Sequence, residues 1–138
     1  MKKIFAHIDW EMEGIEVDSS YQILTTLGSG VSACMTCTGY SGPFTELSDL
    51  IFKNGIVRVV SCSNNIDKEG VWIGNNEHDF EKVHVTGENS FLMQLKDFVR
   101  YLGGEIESPI DGKYGRDIVR QVELSYKSHT INQAVEDI

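Results

Sequence analysis

At Gly87 the spacing of apolar residues changes, and that change limits the folds open to this chain. Before it, short β-branched and alternating runs are punctuated by glycine and asparagine. After it, Phe91, Leu95, Phe98 and Leu102 recur at steps of four, three and four, with Leu92 and Val99 beside them. A period of two sends successive side chains to opposite faces of a strand, whereas steps of three and four draw one stripe along a helix. Strands first and one-sided helices last predict an α+β fold, an open and mostly antiparallel sheet with helices packed on one face and the other face free for oligomerisation. The sheet is expected over about residues 3–86 and the helices over about 89–102 and 115–129, within a single domain of residues 1–138.

Within the strand-rich part, Ile4, Ala6, Ile8 and Trp10 share one parity, although Phe5 breaks strict alternation. Two hairpins follow. The runs 21–27 and 31–38 flank Gly28-Ser29-Gly30, and the runs 50–53 and 56–60 flank Asn54-Gly55, a dipeptide that tolerates the positive φ angles of a tight primed turn. Further strands are expected at Val71–Gly74 and Lys82–Thr86. In the helical part, Asn89 or Ser90 suits an N-cap and Gly103 a C-terminal stop. After the turn-like stretch 108–112, Ile118, Val119, Val122 and Tyr126 fall on one side of a second helix.

The sheet's free face is read from residues 31–38. Val31, Ala33, Met35 and Cys37 have one parity; Ser32, Cys34, Thr36 and Thr38 have the other. Short, uncharged side chains suit packing against another sheet, so Ser32, Cys34, Thr36 and Thr38 are the candidate oligomer interface. The same parity bears on the C-x-x-C pair. On a strand, an odd offset sends Cys34 and Cys37 to opposite faces, with Cys37 on the core side, so one metal or one disulfide cannot readily join them.

Asp and Glu total 21 against 12 for Lys and Arg, a formal charge of -9, and no basic cluster stands out. Nucleic acid and anionic membrane are therefore unexpected partners. No charged-then-apolar leader and no run of about 18 apolar residues occurs, and three cysteines are too few and too scattered for a disulfide scaffold. A cytoplasmic protein is expected.

Chemistry is sparsely signalled. His7, His78, His84 and His129 are scattered, and neither a nucleophile elbow nor a dinucleotide fingerprint occurs. The acidic stretch from Trp10 to Asp18 matches no calcium loop; it reads as a solvated connection, with Trp10 and Glu11 kept as substrate-side candidates because an indole can stack on a sugar ring. The stretch Gly112-Lys113-Tyr114-Gly115-Arg116 is either an ordinary turn or an anion site at a helix N-terminus, which makes Tyr114 and Arg116 candidates too.

The order of these elements resembles the C-terminal part of the glucose-fructose oxidoreductase and inositol dehydrogenase family, Gfo/Idh/MocA. The runs 18–35 and 50–59 are similar to that family's sheet, and the runs 91–99, 108–112 and 116–128 to its closing helices. The family's aromatic-x-Ser ending with a terminal valine strand corresponds to Tyr126-Lys127-Ser128 and Val135. Missing are the N-terminal Rossmann domain, the Glu-Lys-Pro segment with its catalytic lysine, and the Asp-x-x-x-His motif: Glu81-Lys82 is followed by Val83, and no Asp has a His four residues on. The resemblance therefore implies no catalytic, cofactor-binding or metal residue in this chain, which reads as starting just after the family's Asp-x-x-x-His helix. It implies a substrate-side and oligomerising domain of an NAD(P)-dependent sugar or polyol oxidoreductase, inactive alone, with NAD or NADP bound by a separate Rossmann portion. The alternative is a stand-alone, non-catalytic oligomeric module that binds a carbohydrate or a protein partner.

Overall fold

The computed structural model describes residues 2–9, 13, 14, 16–39, 45–62, 69–85, 87, 89–108 and 110–137. The element order is β1 (Lys3–Asp9), β2 (Ser20–Thr26), β3 (Ser32–Thr38), β4 (Thr45–Phe52), β5 (Gly55–Cys62), β6 (Gly70–Gly74), β7 (Glu81–Val83), α1 (Ser90–Leu102), α2 (Gly112–Ile131) and β8 (Val135–Glu136). The α+β class is observed, with the strands paired antiparallel throughout the described residues. They form two open four-stranded sheets, ordered β3-β2-β1-β8 and β4-β5-β6-β7. The chain divides correspondingly into two units, Met1–Tyr40 with Glu107–Ile138, and Ser41–Ile106.

In the first unit, strict alternation along β1 buries Ile4, Ala6 and Ile8. Their neighbours on β2 are Thr25, Ile23 and Tyr21, and beyond Ile23 lies Met35 of β3. Helix α2 lies on this face, where Leu124 closes a small core with Ile4, Val135 and the half-buried Ile23. The outer edge of β1 is held in a composite way. Strand β8 pairs with Lys3 and Ile4 only. Farther along, the Ala6 amide donates to Ser128 Oγ at 3.0 Å and the Ile8 amide to His129 Nδ1 at 3.1 Å. Ser128, with no exposed surface, donates in turn to the Gln133 carbonyl. Two side chains of a helix thus replace the missing length of an edge strand, because a buried amide left unpaired costs about 1–3 kcal/mol.

Helix α2 starts three residues earlier than its apolar spacing suggests. Asp111 accepts from the Tyr114 amide at 2.7 Å, and this cap draws Gly112-Lys113-Tyr114 into the first turn. Asn132 ends the helix in the left-handed conformation. The buried stripe also differs from the expected one: Leu124, Ser125 and Ser128 face the sheet, while Ile118, Val119, Val122 and Tyr126 keep more than a third of their surface exposed. Serine can be buried here because each hydroxyl is satisfied, Ser125 by the Gln121 carbonyl one turn back and Ser128 by the sheet edge.

The second unit is a meander. Its first hairpin has the expected position but not the expected turn. Phe52 pairs with Gly55, so Lys53 and Asn54 form the loop, and Asn132 is the one described non-glycine residue with positive φ. Gly55, at φ +156°, is required for another reason: a Cβ there would lie 2.6 Å from the Gly74 carbonyl oxygen. Across this sheet Asp49, Arg58, Trp72 and Lys82 stand directly opposite one another, one from each strand. Arg58 grips Asp49 through two 2.7 Å hydrogen bonds and lies over the Phe80 ring, and Lys82 lies over Trp72. Helix α1 is capped as expected, with Asn89 Oδ1 accepting from the Phe91 and Leu92 amides and Gly103 following its last turn. The helices were both expected to bury a face, yet α1 buries none of its residues, and Phe91 remains 74% exposed.

Candidate functional site

In the first unit a cleft of about 340 Å³ lies between the sheet and α2. Alternation on β2 and β3 aims Tyr21, Ile23 and Met35 into it, and helical spacing brings Ile118, Val122 and Tyr126 from the other side. Asp18, just before β2, stands at the rim and accepts a 2.5 Å hydrogen bond from the Tyr126 hydroxyl. That bond, more than burial, raises the Tyr126 phenol above its usual range. Burial raises Tyr21, reinforced by Cys37, its cross-strand partner, and by Asp18. Both phenols therefore stay protonated at neutral pH. The cleft thus offers an apolar floor, hydroxyl groups able to donate or accept, and one carboxylate. It can hold and orient a small hydroxylated molecule.

The residues singled out in the sequence are distributed as follows. Ser32, Cys34, Thr36 and Thr38 share the face of β3 turned away from α2, and all four are exposed. Cys34 and Cys37 lie on opposite faces as their spacing requires, although Cys37 is exposed rather than packed in the core. Trp10 and Glu11 lie outside the described residues. Tyr114 is on the first turn of α2, where the Asp111 carboxylate already occupies the helix N-terminus, and Arg116 pairs with its neighbour Asp117. The structure does not bring Tyr114 or Arg116 to the cleft lining.

Asp18, Tyr21 and Tyr126 were not legible as a group, because 108 residues separate Asp18 from Tyr126. A second grouping was equally hidden. His7 and His129 meet edge to face at 5.6 Å, with His7 Nε2 3.8 Å from Asp9. His129 Nδ1 accepts the Ile8 amide proton, which places the ring proton on Nε2 and leaves that histidine no lone pair for a metal. Among the described residues no cluster of three or more His, Cys, Asp and Glu could hold an ion, and no helix is long and apolar enough to cross a membrane.

The fold matches part of several solved oxidoreductases and dehydrogenases. The WlbA dehydrogenase of Bordetella pertussis, solved in complex with NADH and UDP-GlcNAcA, superimposes with a TM-score of 0.72 at 15% identity, over 99% of this chain and 39% of its own. The aldose-aldose oxidoreductase of Caulobacter crescentus, complexed with glycerol, gives 0.81 at 13% identity, over 99% and 41%. An oxidoreductase of Agrobacterium radiobacter, in complex with NAD+, L-tartaric acid and magnesium, gives 0.75 at 14% identity, over 98% and 43%. The chain therefore spans less than half the length of these solved structures. No protein-family model matches the sequence, and no curated protein does.

Proposed function

We propose that this chain is the C-terminal, substrate-side and oligomerising part of an NAD(P)-dependent sugar or polyol oxidoreductase, and that it does not transfer hydride alone. The observation that carries this reading is the superposition of 98–99% of the chain on less than half of enzymes solved with NADH or NAD+. Amphipathic surface without a partner supports it: the apolar stripe of α1 is exposed along its whole length. Solitary apolar patches of that size mark places where another surface docks. In this reading the docking surface is a Rossmann portion, which supplies the pyrophosphate site and the hydride acceptor.

The ligands named for the similar structures, a nucleotide sugar, glycerol and tartaric acid, are all polyhydroxylated. The cleft at Asp18, Tyr21 and Tyr126 suits that chemistry, since phenol and carboxylate can share hydroxyl hydrogen bonds. Self-association through Ser32, Cys34, Thr36 and Thr38, in the cytoplasm, completes the proposal. Titrating the isolated chain with NADH and following nicotinamide fluorescence tests it. No saturable binding is expected; a dissociation constant in the micromolar range would overturn the reading.

A further inference from the structure

We infer that the cleft at Asp18, Tyr21 and Tyr126 selects its ligand by charge. It takes a hydroxylated molecule bearing an ammonium group, an amino sugar or amino polyol, ahead of the neutral analogue, and it rejects the matching sugar acid. This selectivity rests on, and deepens, the proposed reading of the cleft as a polyol site.

Among the described residues that line the cleft, Asp18 is the only one with a formal charge at neutral pH. The surrounding elements keep cations away from it. On α2 the lining residues run from Ile118 to Tyr126 in one stripe, while Lys113, Arg116, Arg120 and Lys127 recur at steps of three, four and seven in another. At about 100° per residue the second stripe lies about half a turn from the first. Two of its members are already engaged in ion pairs, Arg116 with Asp117 and Arg120 with Glu123 and Asp137. Strands β2 and β3 contain neither lysine nor arginine, and Lys3 of β1 has the parity opposite to Ile4 and Ile8.

A carboxylate on the ligand would therefore meet apolar walls and one like charge, with no lining cation to offset its lost hydration. An ammonium meets the reverse. Tyr126 occupies one acceptor site of Asp18, and a carboxylate offers about four, so capacity remains for an N–H donor. A charge-assisted bond of that kind is roughly twice as strong as one between neutral groups. With its own proton committed to the Gln121 carbonyl, the lining Ser125 hydroxyl likewise presents acceptor lone pairs. Tyr21 and Tyr126 add ring faces that attract cations, and their raised phenols stay protonated to serve the ligand's hydroxyls.

Titrating the full chain with D-glucosamine, D-glucose and D-glucuronate tests this, read by the NMR shifts of the Tyr21, Ser125 and Tyr126 amides. The pH is set at about 6, below the ordinary range of amines and above that of carboxylates. Glucosamine should bind about tenfold more tightly than glucose, the gap narrowing with salt, and glucuronate should not saturate. Asp18→Asn should bring glucosamine and glucose to equal affinity. Tyr126→Phe, which keeps the carboxylate, should preserve the gap, and melting curves establish that each variant is folded. Glucuronate binding as tightly as glucosamine, glucose and glucosamine binding alike, or a gap that survives Asp18→Asn overturns the charge selection and leaves the polyol site standing. If none of the three sugars moves those amides, the polyol site and its selectivity fall together.

Discussion

The two units use the same parts, a four-stranded antiparallel sheet and one helix each, and arrive at different degrees of closure. In the first, α2 lies on the sheet, and all the hydrophobic side chains that are fully buried among the described residues belong to it: Ile4, Ala6, Ile8, Leu124 and Val135. In the second, α1 has the stronger and more regular apolar stripe and buries nothing. Amphipathicity is evidently not what seats a helix. The first unit adds directed bonds, Ser128 to the Ala6 amide and His129 to the Ile8 amide, that fix α2 against one strand edge. The cap bonds of α1 are all local.

This contrast can be broken by mutation. Leu124→Ala removes a side chain that is 2% exposed from the only buried cluster described, and should cost about 2–5 kcal/mol. In hydrogen exchange it should strip protection from the Ala6 and Ile8 amides and leave β5 and β6 unchanged; equal loss in both sheets would show that the units do not stand apart energetically. A smaller effect is expected from Tyr126→Phe, about 1 kcal/mol at neutral pH for one hydrogen bond. The sign with pH follows from the raised phenol. Its contribution is whole below the ordinary value near 10 and is lost as pH climbs through the raised folded value. Wild-type and variant should therefore differ in melting temperature at pH 7, and the difference should shrink as pH rises past the ordinary phenol range and through the raised folded value. The smallest effect belongs to the second unit: Phe98→Lys, on a residue 55% exposed, should change chain stability by less than about 0.5 kcal/mol. A loss above about 2 kcal/mol would mean that α1 is seated after all.

Much of the fold could be read from short stretches. Alternation at Ile4, Ala6 and Ile8, the glycine-serine-glycine turn before β3, and the Asn89 and Gly103 ends of α1 all rest on contacts within a few residues. The Tyr126-Lys127-Ser128 and Val135 pattern was visible in the sequence, and in the structure Ser128 and Val135 close the edge and the core of the first unit. Less was legible where two effects compete. Asn54-Gly55 signals a primed turn, but the close approach of Gly55 to the Gly74 carbonyl places the loop one residue earlier, at Lys53 and Asn54. Likewise Ile118, Val119 and Val122 outrank Ser125 and Ser128 in hydrophobicity, yet the serines are buried. The candidate site was legible only as types of residue, since Asp18 and Tyr126 meet across most of the chain.

By itself, then, the amino-acid order determined roughly where most strands and both helices lie, which side chains share a face, and how α1 is capped, because those depend on backbone geometry and neighbours within one turn or pleat. Only the tertiary structure decided which face of α2 is buried, that the strands close as two sheets, that α1 stays open, and that Asp18, Tyr21 and Tyr126 share a cleft. Those outcomes turn on satisfying amides and hydroxyls between segments distant in the chain, a requirement that no local period records.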